Sequence, residues 1–394
     1  MKQILLLLLL IEGVFGGSYT LQSLLQTAGK HNDLSKALDQ EALSRKAKSR
    51  ADTATDPLAL YLEGTRAYPD GGTSGNEYAV GGSKTFKLPS IREQELAIAQ
   101  LSNDADMLEG KKSLLNFRNG LKNLYHQHCL DRQNYRVFKQ SYDDFLTLYR
   151  KKQKAYDYQE ISLKELMQLE TEKNRLYAKL MSLDMERSIS RETLATLAGV
   201  PKEARFSCQD TYPIRSEVTL PNRFTLTKEA YDKRMLSTKK AVARYSHGFD
   251  SLDLSAQYTN ELDVERYTIG VNIPLNFGSE KYEQERAAAM YKNSAIEHRY
   301  RQVLKEKQSQ FIRLRLMLKN EASMIRALQR NYSKYKQKVL PLIRKSYDLG
   351  ETSVIEYLLS KQKLYQLQEE IYQTKKAYYD TLFRLYSVSE KKDI

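Results

Sequence analysis

The sequence predicts a mixed α and β chain made of two copies of one unit, each a pair of strands followed by a long helical hairpin. Three observations predict it. One unusual motif occurs twice, long stretches lack both Gly and Pro, and short segments between them alternate apolar with polar residues. The duplication matters most, because a nearly constant offset between matched segments indicates a repeated unit.

The duplicated motif is a Tyr-Asp pair followed by Glu, Ser and Glu at matched positions. Its first copy covers 156–166 and its second covers 347–357, an offset of 191 residues. Upstream, the segment 78–81 recurs at 267–270, an offset of 189 residues. The predicted repeats therefore cover 17–204 and 205–394.

The first residues have the features of a secretory leader. Lys2 is positively charged, residues 4–11 are apolar, and Val14-Phe15-Gly16 ends in the small residue expected before a cleavage site. We predict a signal peptide over 1–16 and an exported chain; the alternative is a buried amino-terminal helix. No later stretch has the roughly 18–20 uninterrupted apolar residues that a transmembrane helix needs.

In the first repeat we predict strands within about 57–88. Leu58, Leu60 and Leu62 alternate with other residues and lead into a Gly-rich connection. A helical hairpin over about 90–199 follows, with its turn near 156–163, because residues 121–198 contain neither Gly nor Pro.

In the second repeat the alternation is cleaner, and strands are predicted within about 250–277. Tyr267, Ile269 and Val271 alternate with polar or small residues, as in a transmembrane β-strand. The hairpin covers about 279–388, with its turn near 347–354. Each predicted first helix, of some 65 residues, is about 100 Å long at 1.5 Å per residue.

The turns carry helix stop and start signals. Gly350 marks a helix end in the second copy. Ser162 and Ser353 are each followed three residues later by a Glu, Glu165 and Glu356, which is the spacing of a capping box at the start of a new helix.

Four strands per chain make an open sheet. In a bilayer its unpaired edge N–H and C=O groups would each cost several kcal/mol. Several chains that each contribute four strands to one closed barrel would remove the edges; the alternative is a soluble sheet packed against helices.

Charge and cysteines are less decisive. The net charge is +14, but Lys and Arg are interleaved with Glu and Asp along helices, so a solvated surface is favoured over a nucleic-acid site.

Cys129 and Cys208 could form a disulfide in an oxidising compartment, but the sequence does not settle whether they pair. His126 and Cys129 share a helix face and are weak candidates for a metal site; surface residues are the commoner case.

Several motifs together resemble one known family. They are Tyr19-Thr20-Leu21, His31-Asn32-Asp33-Leu34, Leu194 to Gly199, Gly270 to Gly278 and Tyr347 to Ser353. In this order the motifs resemble those of TolC-like outer-membrane efflux proteins, across nearly the whole mature chain. Asp33 stands where that family usually has Pro.

The resemblance implies a homotrimer in the bacterial outer membrane. Twelve strands would close a β-barrel, continued into the periplasm by an α-helical barrel with residues 200–235 in a belt around it. The duct would bind a periplasmic adaptor protein and an inner-membrane pump of the RND or ABC type. It would catalyse no reaction and hold no cofactor.

The resemblance also implies which residues carry the function. Adaptor docking is expected at the two turns, at Tyr156, Asp157, Glu160, Ser162, Tyr347, Asp348, Leu349, Gly350, Glu351, Thr352 and Ser353. Glu356 is expected to line the periplasmic entrance, where family members have paired carboxylates. Leu359 replaces the second carboxylate, and the first turn lacks the Gly. Helix capping, or a solvated Glu356, is the simpler alternative.

Two functions therefore compete at this level. The first is an exit duct of a tripartite efflux or type I secretion system, whose substrate, metal ion, drug or protein, would be chosen by the pump. The second is a secreted coiled-coil structural or adhesive protein. An enzyme is disfavoured, since the sequence has no nucleophile elbow, phosphate loop or metal-ligand spacing.

Overall fold

The computed structural model describes residues 18–31, 33–68, 72 and 74–391, so the predicted leader lies outside the described part. The chain divides into two compact units, each built from separate stretches of sequence. The helical unit comprises the described residues up to 35, with 113–224 and those from 307 onward. The sheet unit comprises 36–112 and 225–306.

Helices dominate the described chain. The elements in order are β1 (Ser18–Tyr19), α1 (Leu21–His31), α2 (Asp33–Asp52), β2 (Ala59–Ala67), β3 (Gly75–Lys87), α3 (Pro89–Asp157), α4 (Leu163–Ala198), β4 (Arg205–Phe206), α5 (Thr225–Arg244), β5 (Ser251–Asn260), β6 (Glu265–Asn272), α6 (Glu280–Lys334), α7 (Leu340–Asp348) and α8 (Val354–Ser389). The mix of long helices and short strand pairs is the one predicted. Among these helices none is long and apolar enough to cross a bilayer.

The sheet unit contains one four-stranded antiparallel sheet in the order β2-β3-β5-β6. Both predicted strand pairs are present, and β3 joins them by pairing with β5. The register places Leu62 opposite Val80, Val80 opposite Tyr258, and Tyr258 opposite Tyr267. Since side chains alternate along a strand, these four residues lie on one face.

In the helical unit α3 packs against α4 and α8. Phe138 and Phe145 of α3 form a buried cluster with Leu169 and Leu176 of α4 and Leu358 of α8. Leu169, Leu176 and Leu183 of this cluster recur at heptad spacing along α4. Burial of these seams, rather than helix propensity, stabilises helices of this length.

The predicted helix over 279–347 is not continuous. A π-helical turn, Tyr335–Val339, separates α6 from α7. Pro341 lies in the first turn of α7. A proline ring crowds the carbonyl of the fourth preceding residue and offers no N–H to it, and a wider turn there relieves the conflict.

A segment without regular structure, residues 207–224, follows β4; we call it the strap. Cys208 in the strap and Cys129 in α3 form a disulfide, with Cα atoms 5.5 Å apart. The question that the sequence left open is thereby answered. At the amino end of the described chain, β1 pairs in parallel with β4, next to a buried cluster built around Tyr125 of α3.

Candidate functional site: the two turns and the sheet face

The first turn lies between α3 and α4. The Gln159 N–H donates to the Tyr156 carbonyl at 2.8 Å, and the Glu160 N–H donates to the Ala155 carbonyl at 2.8 Å. The second bond reaches back five residues, as in the hydrogen-bonded C-cap that ends many helices. These bonds satisfy carbonyls that the end of α3 would otherwise leave open.

The second turn, between α7 and α8, repeats these bonds. The Gly350 N–H donates to the Tyr347 carbonyl at 3.0 Å, and the Glu351 N–H donates to the Ser346 carbonyl at 2.9 Å. All four residues lie 191 positions after their counterparts. The two turns therefore share one backbone arrangement at the predicted offset.

The position of the missing glycine is filled without a change of backbone. Gln159 has φ +61° and Gly350 has φ +76°, both in the left-handed region. A side chain there costs about 1 kcal/mol relative to Gly. The sequence shows that the first turn lacks the Gly. It does not reveal that Gln159 adopts the same left-handed backbone conformation as Gly350.

Both capping boxes are present. Ser162 Oγ accepts from the Glu165 N–H at 3.3 Å, and the Glu165 carboxylate accepts from the Ser162 N–H at 3.3 Å. Ser353 and Glu356 make the same pair of bonds, at 3.3 and 3.2 Å. In each turn the C-cap bonds end the first helix and the capping box begins the second. The chain therefore reverses direction within about five residues.

The second turn has additional side-chain bonds. Ser346 Oγ donates to Glu351 Oε2 at 3.1 Å and accepts from Thr352 Oγ1 at 2.8 Å. Tyr347 stacks on Tyr357 with ring centroids 4.8 Å apart. These contacts hold the second turn more firmly than backbone bonds alone would.

The predicted docking residues present a mostly exposed surface. The exposed members are Asp157, Glu160, Ser162, Asp348, Leu349, Gly350, Glu351 and Ser353. Tyr156, Tyr347 and Thr352 are half-buried. Leu349 is 63% exposed, although it is a large apolar side chain at the apex of a turn. No Cβ added at Gly350 would meet a described atom within 4 Å, so the backbone there is open to approach.

Glu356 is exposed one turn into the second helix of the hairpin. One carboxylate oxygen, Oε2, is engaged in the capping box. Leu359, at the position of the absent second carboxylate, is 58% exposed. Helix capping at Glu356 is thus present, and the residue remains exposed.

The weak metal candidates have other roles. Cys129 is in the disulfide. His126 is buried, contrary to the expectation of a surface residue: its Nδ1 bonds the Lys122 carbonyl at 2.7 Å, and its Nε2 accepts from the Tyr212 N–H at 2.8 Å. The described part of the chain has no group of three or more His, Cys, Asp or Glu placed to bind a metal.

His126 is held in its neutral form by its surroundings. A carbonyl at Nδ1 and an N–H donor at Nε2 fit only the neutral ring. Burial lowers the pKa of His126 from 6.5 to about 4, because a charged imidazolium would lose its water in the aromatic surroundings of Tyr379 and Phe383.

The strap is held by buried hydroxyls as well. Tyr125 accepts from the Cys208 N–H at 3.0 Å. Tyr379 donates to the Tyr212 carbonyl at 2.6 Å. Tyr378 bonds both the N–H and the carbonyl of Arg215, at 2.9 and 3.1 Å. Local sequence patterns do not reveal these hydroxyl bonds, because the partners lie at least 80 residues away along the chain.

In the sheet unit, one face of the sheet is apolar and uncovered. Leu62 is 81% exposed and Ile269 is 86% exposed. The apolar face carries Leu60, Leu62, Val80, Tyr258, Tyr267, Ile269 and Val271, and the opposite face carries Glu63, Ser83, Ser255, Gln257, Thr268 and Asn272. Strands β2 and β6 are each paired on one side only within the described chain, so the sheet has two open edges.

Comparison with known proteins gives the fold a precedent. No protein-family model and no curated relative matches the sequence. The Campylobacter jejuni CmeC outer membrane channel matches with TM-score 0.74 and 14% identity, over 94% of this chain and 86% of that one. The outer membrane protein VceC of Vibrio cholerae matches with TM-score 0.72 and 15% identity, over 94% and 95%. The open Neisseria gonorrhoeae MtrE outer membrane channel gives TM-score 0.72 and 14% identity, over 94% and 89%. The predicted TolC-like fold is confirmed.

Proposed function

From this fold we propose that the chain forms, as a homotrimer, the outer-membrane exit duct of a tripartite efflux or type I secretion system. The observation that carries the proposal is the four-stranded sheet with one exposed apolar face and two open edges. The solved structures of the same fold are named as outer membrane channels or proteins, which supports a location in the outer membrane with helices extending into the periplasm.

The sheet geometry favours lipid as the partner of the apolar face. Tyr267, Ile269 and Val271 on the edge strand β6 are all more than half exposed. In water each fully exposed side chain of this kind forgoes about 1.5–3 kcal/mol of burial energy. The polar face, which carries Gln257 and Thr268, suits a water-filled lumen.

The open edges favour a closed ring of subunits. An edge strand in hydrocarbon leaves N–H and C=O groups without partners, at several kcal/mol each. Pairing β6 of one chain with β2 of the next would satisfy them. Three chains of four strands would then complete a twelve-stranded barrel.

The two turns are the proposed docking surface for a periplasmic adaptor, through which an inner-membrane pump supplies the energy. Exposed Leu349, Gly350 and Glu351 offer an apolar side chain, an open backbone and a carboxylate within three residues. The first turn has Tyr158, Gln159 and Glu160 at the same places, so an adaptor would meet two related but unequal surfaces. The duct itself catalyses nothing.

Glu356 is the proposed charged group of the periplasmic entrance. In a trimer three copies would form one ring of carboxylates, which favours cations at close range. Because Leu359 replaces a second carboxylate, the ring would carry three charges at this level rather than six.

A secreted coiled-coil structural protein is less well supported, because such a protein has no use for an uncovered apolar sheet. The two functions separate on extraction. A duct should remain in the outer-membrane fraction after a carbonate wash and enter detergent as a heat-modifiable trimer. An elongated particle released by carbonate would contradict the proposal.

Docking is tested by a matched pair of substitutions at Gly350. Gly350→Ala and Gly350→Trp share the cost of the left-handed backbone, but only Trp adds bulk at the apex. We expect both variants to form trimers. In a strain that lacks its own duct, the Gly350→Ala variant should retain most of the export activity and the Gly350→Trp variant should lose it. Normal export by the Trp variant would remove the turn from the docking surface.

A further inference from the structure

A cavity of about 540 Å³ lies between α3, the strap and α8 in the helical unit. Three cationic side chains line it: Arg132 and Arg136, one turn apart on α3, and Lys375 on α8. None of the described residues that line it is Asp or Glu. The cavity therefore concentrates positive charge without an internal counter-ion.

Arg132 and Arg136 are exposed, whereas Lys375 is half-buried. Lys376, the next residue on α8, pairs with Asp131 at 3.2 Å. Lys375 is half-buried, yet no carboxylate of the described residues lies within 4 Å of it. Loss of water lowers the pKa of Lys375, and no neighbouring acid offsets that loss.

The cavity wall is held in place by bonds that do not neutralise its charge. Arg132 donates to the carbonyls of Phe206 and Ser207 at 2.6 and 3.2 Å. The Cys129–Cys208 disulfide fixes the strap to α3 at the same wall. Carbonyl oxygens orient the guanidinium but leave its full positive charge, so the site is organised before any ligand arrives.

A second cavity, of about 380 Å³, adjoins the first and shares Lys375 and Gln133 with it. Asn134, which is 6% exposed, lines the second cavity. Its buried amide nitrogen Nδ2 has no acceptor among the described residues. A buried donor without a partner costs about 1–3 kcal/mol, which a bound acceptor would recover. Val137 and Ile371 make the rest of that wall partly apolar.

We propose that the two cavities form a binding site for a small oxyanion that bears a phosphate or carboxylate group. Arg132, Arg136 and Lys375 bind the charged oxygens, Asn134 offers a further donor, and the apolar wall accommodates an attached carbon skeleton. Paired guanidinium groups suit planar and tetrahedral oxyanions, since each offers several N–H donors in fixed geometry. The lining residues of the site lie away from both turns along the chain.

The test is direct binding of radiolabelled inorganic phosphate to the purified full chain in detergent, by equilibrium dialysis, with citrate as the carboxylate competitor. We expect one phosphate per chain, displaced by citrate. Arg136→Gln and Lys375→Gln should each weaken binding about tenfold or more, as expected for a charge-assisted bond. Lys139→Gln removes the same charge from an exposed site on α3 outside the cavities and should bind within twofold of wild type.

Three outcomes would overturn the proposal. The first is an absence of phosphate and citrate binding at millimolar concentrations. The second is equal binding by wild type and the Arg136→Gln/Lys375→Gln double variant. The third is a carbodiimide cross-link from Lys375 to a carboxylate of a second copy, since the occupant would then be protein. Competition by short-chain phosphatidylglycerol would assign the same oxyanion site to lipid headgroups, and its failure to compete would assign the site to soluble anions.

Discussion

The disulfide gives the most quantitative prediction. Cys129 and Cys208 lie 79 residues apart, so the bond closes a long loop in the unfolded chain. The chain-entropy relation assigns such a loop about 4.5 kcal/mol of stabilisation at 25 °C. In the folded chain the strap would stay in place without it, because Tyr378, Tyr379 and His126 still bond Arg215 and Tyr212.

We therefore expect the Cys129→Ser/Cys208→Ser variant to fold and assemble but to melt at lower temperature. For a unit of this size each kcal/mol corresponds to roughly 2–4 °C, which gives a decrease of about 9–18 °C. The assay is thermal unfolding followed by circular dichroism in detergent. Reductant should lower the melting temperature of wild type toward that of the variant and leave the variant unchanged. An unchanged wild-type melting temperature after both thiols are shown to be free would refute the reasoning.

Three further predictions follow from the turns, the buried histidine and the entrance. Gln159→Gly removes a side chain from a left-handed position, so it should slow amide exchange in the first turn by an amount equivalent to about 1 kcal/mol. Gly350→Ala adds a side chain at the matching position and should speed amide exchange in the second turn to a similar degree. Equal exchange rates in wild type and both variants would contradict the strain argument. His126 has a folded pKa of about 4 against 6.5 when unfolded, so its stabilising contribution is complete above pH 6.5 and about 3 kcal/mol is lost as the pH falls to 4. Burial lowers the pKa of His128 to about 4 as well, so His126→Gln should reduce the combined loss by about half, while substitution of the exposed His298 should leave it unchanged. Glu356→Gln retains an oxygen for the capping box but removes the charge, so reconstituted channels should lose cation selectivity; an unchanged reversal potential would place Glu356 outside the ion path.

The strands and turns could be predicted because their signals are local. Alternation around Tyr267 and Ile269 marks a strand within ten residues, and a Ser followed by Glu three positions later marks a helix start. Both kinds of signal proved reliable. The turn at Gln159 shows the boundary of this approach: its stop signal is missing, but the flanking C-cap bonds and capping box impose the left-handed backbone all the same.

What could not be predicted depends on contacts between distant segments. His126 is buried because the strap returns to α3 and places the Tyr212 N–H on its ring. The pairing of β3 with β5 joins segments some 170 residues apart, and no local pattern specifies it. The cavity proposed to bind an oxyanion also depends on contacts between distant segments. Arg136 and Lys375 line it together only when α3 and α8 pack against each other.

The central claim is that open sheet edges of one chain pair with those of the next. It is tested most directly by disulfide trapping with one cysteine on the polar face of β2, at Tyr61 or Glu63, and one on that of β6, at Arg266 or Thr268. In outer-membrane fractions we predict covalent products that stop at three chains for at least one pair of positions. Monomers alone, or ladders that continue past three chains, would contradict the account.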